Sequence, residues 1–132
     1  MRTTALLLDT HVLLWVLLEP ERIPSLTLER IRDATTDLVV SAASAWEIAT
    51  KYRLGKLDTA AAVVHGYTDH LARLRAHELP ITSQHALSAG LLSWQHRDPF
   101  DRVIAAQSMV ASLALVTADT AFSTLPGLRT VW

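Results

Sequence analysis

Two stretches at opposite ends of the chain, Leu6-Leu7-Leu8-Asp9 and Leu115-Val116-Thr117-Ala118-Asp119, each run a few apolar residues into an aspartate. Apolar runs this short and without alternation fit strands covered on both faces, the signature of a parallel sheet. Leu38-Val39-Val40 is a third such run. Between them lie segments with helical spacing. His11 to Leu18 reads as a helix stopped by Pro20. The pattern predicts a helix capped by Ser25 and running through Ala34, and another capped by Ser41 that carries Trp46-Glu47-Ile48 and stops near Gly55. A long helix follows over about Thr59 to Arg75, one from Thr82 or Ser83 to about Trp94, and one from Pro99 to about Leu113. Leu79-Pro80-Ile81 and Leu128 to Trp132 are weaker strand candidates, the first because proline belongs at strand ends and edges. Short apolar strands alternating with helices predict an α/β domain: a mostly parallel central sheet of about five short strands between layers of helices.

At 132 residues, half of them hydrophobic, the chain is expected to form one domain over residues 1–132 with a real core. Twelve Lys and Arg against 13 Asp and Glu leave a formal net charge of −1, which argues against coating nucleic acid by bulk charge. With no cysteine there is neither a disulfide framework nor a thiolate metal site, so any metal would have carboxylate, imidazole or carbonyl ligands. Asp9 and His11 interrupt the apolar N-terminal region, and the uninterrupted run Val12 to Leu18 is far too short to span a bilayer. A cytoplasmic protein without membrane contact is the expectation.

The segment His96-Arg97-Asp98-Pro99-Phe100-Asp101-Arg102 opens the last long helix. Proline suits the first helical position, where its missing N–H has no intrahelical partner. With Pro99 there, Asp98 is the N-cap, accepting from the N–H of Phe100 or Asp101, and this local role accounts for it. Asp101 then falls in the first turn, where its charge complements the helix dipole.

Taken singly, Asp9 and Asp119 also read as caps of the segments that follow them, and Glu47 reads as an i,i+4 partner of Lys51. Taken together they read differently. A parallel sheet brings Asp9, Glu47 and Asp119 to one edge, where ligands of such sheets bind, and Asp101 at a helix N-terminus can face the same edge. Four carboxylates in one crevice repel unless protonated or neutralised by cations. Hard oxygen donors select Mg²⁺ or Mn²⁺ over zinc, and such a site suits phosphodiester hydrolysis by metal-activated water.

LLLDTHVLLW, SAWEIATKYRLGKL, HRDPFDRVIAAQ and LVTADTAF, in this order and spacing, resemble the PIN-domain ribonucleases, and among them the VapC-type toxins of bacterial toxin–antitoxin pairs. The resemblance covers nearly the whole chain. It implies a PIN-like three-layer fold and a metal-dependent endoribonuclease using Mg²⁺ or Mn²⁺. By this resemblance Asp9, Glu47, Asp101 and Asp119 are the catalytic and metal-binding acids. Asp98 is a candidate outer ligand or support, and Thr117 a residue that orients water. It also implies an RNA substrate, a small cognate antitoxin that blocks the acidic site, and a homodimer. The alternative is a catalytically silent PIN-like module that binds a protein partner.

Lys51, Arg53, Lys56, Arg97 and Arg102 stand near the acids in sequence, and Lys51 and Arg102 are the favoured phosphate contacts. The six histidines show no metal-binding spacing; His11 and His96 fall near the crevice but are expected to pack or face solvent. Trp15 and Trp46 are expected to pack on the helices that carry them. Haloacid-dehalogenase-like phosphatases want a second aspartate two residues after the first, where this chain has His11. Receiver domains want a lysine after the late strand, and none follows Lys56.

Overall fold

The computed structural model describes residues 4–132. Five strands, β1 (Thr4–Leu8), β2 (Thr36–Ser41), β3 (Ala76–Leu79), β4 (Ala114–Val116) and β5 (Thr130–Val131), form one sheet in the order β3-β2-β1-β4-β5. Every pairing is parallel. In the central register Leu6, Leu7 and Leu8 lie beside Leu38, Val39 and Val40 on one side and Ala114, Leu115 and Val116 on the other.

Alternation along the strands splits the core in two. Leu6, Leu8, Leu38, Val40 and Val116 point to one face. There they meet α1 (Thr10–Leu18), α2 (Ser25–Arg32), α3 (Ala42–Arg53), α4 (Ala61–His65) and α5 (Tyr67–Leu74), through Val12, Leu13, Ile31, Ile48, Val63 and Leu71. Leu7, Val39 and Leu115 point to the other face, toward Ile104 and Ala105 of α7 (Pro99–Ala111) and toward Phe122. Helix α6 (Ser83–Leu91) lies beside α7. Because both faces are covered, no strand residue needs to be polar, and the runs read as continuously apolar. No helix among the described residues is long and apolar enough to cross a membrane.

Several element boundaries differ from the sequence expectation, each for a local reason. The long helix expected over Thr59 to Arg75 breaks at Gly66, which ends α4 by donating to the Ala62 carbonyl at 2.9 Å. A Cβ at that position would stand 3.1 Å from the same oxygen. Ser25 is the first residue of α2 and makes no cap; the helix stops at Arg32 because Asp33 turns the chain by accepting from the N–H and hydroxyl of Thr35. Helix α6 stops at Leu91, short of Trp94, and α7 at Ala111, where Ser112 takes a left-handed conformation with φ 55°. The strand expected over Leu79-Pro80-Ile81 lies earlier: β3 ends at Leu79, before Pro80, whose missing N–H would interrupt the ladder.

The strand order places the topological switch between β1 and β4: the chain winds from β1 outward to β2 and β3, then returns to add β4 and β5 on the opposite side. Asp9 and Asp119 follow the two strands that flank this switch, where sheets of this kind hold their ligands.

Candidate active site

A cavity of about 350 Å³ opens at the carboxyl edge of the sheet, lined by Asp9, Thr10, His11, Glu47, Lys51, His96, Asp98, Asp101 and Asp119, with Leu14 and Leu57. All five acids singled out in the sequence line it. They are held there in different ways.

Asp9 is 3% exposed and caps α1, with Oδ1 accepting from the Thr10 N–H at 2.8 Å. Its Oδ2 accepts from the Thr117 hydroxyl at 2.8 Å and lies 3.1 Å from His11 Nδ1. The His11 Nε2 accepts from the Ala118 N–H at 3.2 Å, so the hydrogen-bond network puts the imidazole proton on Nδ1, toward Asp9. The Thr117 oxygen also accepts from the Asp119 N–H at 3.0 Å. Thr117 thus ties Asp9 to the loop bearing Asp119. Asp119 is exposed and caps the short 3₁₀ turn Thr120–Thr124 through the Ala121 N–H.

Glu47, Asp98 and Asp101 form the tight part of the site: one carboxylate oxygen from each lies within 4.8 Å of the others. Glu47 is 4% exposed; Oε2 accepts from Lys51 Nζ, and Oε1 is buried without a hydrogen-bond partner. Asp98 caps α7 as its sequence implies, accepting from the Asp101 N–H at 3.1 Å, and still reaches the cluster. Asp101 lies 2.7 Å from His96 Nε2. Burial pushes the Asp101 carboxyl up to about 6; the hydrogen bond from His96 opposes this, and the charges of Asp9, Asp98 and Glu47 add to it. Burial alone would lower Lys51, but its contact with Glu47 and the charges of Asp98 and Asp101 raise it. An unpartnered buried oxygen and three crowded carboxylates form a hard, oxygen-only donor set suited to a divalent cation.

Of the five basic residues considered, Lys51 alone lines the cavity. Arg102 does not line it. It lies with Nε donating to the Ala89 carbonyl at 3.0 Å, and its terminal nitrogens donate to Leu92, Trp94 and His96 carbonyls at 2.7 to 2.9 Å. Four of its five N–H donors are thereby engaged with backbone carbonyls. A cation in the first turn of a helix opposes the dipole, and that misplacement was the available signal that the charge serves elsewhere, here at the carboxyl end of α6. His96 hydrogen-bonds the Asp101 carboxylate, and His11 lies against that of Asp9, its Nδ1 3.1 Å from Oδ2. Trp15 packs as expected, edge-on to His11 with ring centroids 4.8 Å apart. Trp46 packs on one side only, edge-to-face against Phe100 with ring centroids 4.6 Å apart, and remains 58% exposed.

The PIN-domain family model matches residues 6–128. The chain belongs to the PIN-domain family. Comparison with curated protein sequences finds no significant match. Among solved structures, this PIN domain is similar to VapBC2 from Rickettsia felis bound to a DNA fragment from their promoter, at TM-score 0.70 and 15% identity, covering 97% of this chain and 98% of that one. It is similar to DNA-bound VapBC from Salmonella typhimurium at TM-score 0.67 and 22% identity over 97% of each chain. FitAcB from Neisseria gonorrhoeae gives TM-score 0.67 and 20% identity over 96% of each. At these identities the likeness is one of fold, and it extends across the described PIN domain from the first strand to the last.

Proposed function

We propose that this PIN domain is a metal-dependent endoribonuclease, the VapC-type toxin of a toxin–antitoxin pair, acting in the cytoplasm as a homodimer. The observation that carries the reading is the cluster of Glu47, Asp98 and Asp101 with the unpartnered Glu47 Oε1. The PIN-domain match and the toxin–antitoxin complexes among its structural neighbours support it.

In this reading Asp9, Glu47, Asp101 and Asp119 hold Mg²⁺ or Mn²⁺, and Asp98, through its place in the tight cluster, is a ligand or immediate support as well as a cap. A divalent ion bound there makes water acidic enough to attack a phosphodiester at neutral pH and neutralises charge on the phosphate. The chain supplies the rest. The Thr10 N–H and the Thr117 hydroxyl fix the Asp9 carboxylate, and His96 fixes that of Asp101, so both are oriented before substrate arrives. Lys51 is the cation available to a phosphate at the rim. A cognate small antitoxin would act by covering this cavity.

The test is incubation of purified, antitoxin-free protein with total bacterial RNA and Mg²⁺ or Mn²⁺. Discrete cleavage is expected, abolished by EDTA and by Asp9→Asn or Asp101→Asn. If folded protein with either ion leaves RNA intact, the catalytically silent protein-binding module takes its place. Cleavage surviving in Asp9→Asn would remove Asp9 from the mechanism.

A further inference from the structure

The acids gather at the carboxyl edge of the sheet, and a group of arginines stands at the other. There a cavity of about 410 Å³ opens between the ends of α2 and α5 and the starts of β2 and β3. Buried Ile31 and Leu38 line it, together with the exposed Arg32, Arg73 and Arg75. Strand β2 runs from Thr36 in this cavity to Ser41 at the acidic edge, about 16 Å at the usual rise per strand residue.

Several cations of the chain are committed: Arg22 pairs with Glu19, Lys51 with Glu47, and Arg102 and Arg129 donate to carbonyls. Among the described residues, the guanidiniums of Arg32, Arg73 and Arg75 have no such partner. Asp33, the one acid lining the cavity, turns its Oδ1 to the N–H and hydroxyl of Thr35 instead, and His77 at the rim lies 3.3 Å from Asp37. Cations at the ends of α2 and α5 complement the helix dipoles, which accounts for their sign. It does not account for Arg75. That residue ends α5 in the left-handed conformation, φ 57° and ψ 35°, where glycine is unstrained and where Gly55 serves after α3. An arginine there carries backbone strain that glycine would avoid, so the side chain is what the position supplies.

Three guanidiniums against one carboxylate leave a surplus of two positive charges, close to the charge of a phosphate monoester at neutral pH. The forked donors of arginine match phosphate oxygens, and the cavity is of the size that takes a small ligand. We propose that this cavity is a phosphate-monoester site, held by Arg32, Arg73 and Arg75, separate from the acidic cavity and independent of metal. A free nucleotide and the 5′-phosphorylated end of an RNA carry the same group. The site requires neither RNA cleavage nor a divalent ion.

Calorimetric titration in EDTA, with no ion on the acids, tests it with AMP, adenosine, and a short oligouridylate ending in a 5′-phosphate or a 5′-hydroxyl. AMP should bind and adenosine should not. Binding of the 5′-phosphorylated strand as well would extend the site to RNA ends, and its failure would restrict the site to free nucleotides. Arg75→Gly should weaken AMP about tenfold, the scale of one hydrogen bond to a charged group, while the Tm holds or rises because glycine relieves the left-handed strain. Arg73→Gln should weaken AMP similarly. Arg53→Gln, at an exposed arginine of α3 outside the cavity, should change nothing. Affinity unchanged in both Arg75→Gly and Arg73→Gln overturns the proposal, as does absence of AMP binding in wild type. Equal binding of adenosine or of the 5′-hydroxyl strand removes the monoester from the recognition. Binding that appears only when Mg²⁺ replaces EDTA moves the phosphate to the acidic cavity and overturns it too.

Discussion

An N-cap needs only a side-chain oxygen, and asparagine supplies one as well as aspartate. A cation ligand in a crowded acidic site needs the charge too. Asp98 does the first job and is placed to do the second, so substitutions can separate the two. Asp98→Asn should leave the urea midpoint in EDTA unchanged or slightly raised, since it keeps the cap and removes a charge from the cluster, while cleavage falls. Asp98→Ala should lose cleavage and also about 1 kcal/mol of stability. Equal activity in wild type and Asp98→Asn would reduce Asp98 to a cap. The capping role was legible because Asp-Pro at a helix start is a local signal. The second role was not, since it depends on how α3 and α7 cross, and no local pattern encodes that. His96 was hidden for the same reason: its bond to Asp101 is made by the path of a segment without regular structure.

That segment, residues 92–98, is the element on which the acidic site leans most. It has almost no backbone ladder of its own, and Arg102 takes its place by gathering carbonyls from Ala89, Leu92, Trp94 and His96 onto one guanidinium. A planar fork of five donors on three nitrogens reaches four spread carbonyls; the three donors of an ammonium sit on one atom and do not. Arg102→Lys should therefore destabilise the fold nearly as much as Arg102→Leu, by about 3 kcal/mol, given the usual worth of hydrogen bonds to a charged group. Both should lower cleavage by loosening His96 from Asp101. Urea denaturation with single-turnover cleavage alongside checks both halves. A lysine variant as stable as wild type would show that one or two of the bonds suffice. Regular elements were easier to read from sequence than this strap: β1, β2 and β4 followed from apolar runs, and Ser41 and Thr82 cap α3 and α6 as their positions imply. The errors fell at Gly66, at the ends of α2, α6 and α7, and at β3, which lies over Ala76–Leu79 and not over residues 79–81.

For the molecule as a whole, the acidic edge is a cost that a bound cation would relieve, and the relief would depend on pH. Asp101 has a folded pKa near 6, above its ordinary 3.8, so between those values the folded state binds more protons there than the unfolded chain. Its contribution to stability is fully present below the unfolded value and is lost as pH rises through the folded one. In EDTA, wild type should thus lose stability relative to Asp101→Asn as pH climbs from about 4 to about 7. An ion that binds only the folded state reverses this, because it favours the ionised carboxylates it contacts. At an ion concentration a hundred times Kd the gain is about 2.7 kcal/mol. The midpoint increase caused by Mn²⁺ should accordingly be large at pH near 7, small at pH near 5, and much reduced at both in Asp101→Asn. Thermal melts of the two proteins with and without ion, at both pH values, decide it. An ion-induced increase of equal size at the two pH values would mean that the cation binds without displacing a proton from Asp101, and an increase undiminished in Asp101→Asn would place the cation away from the cluster of Glu47, Asp98 and Asp101.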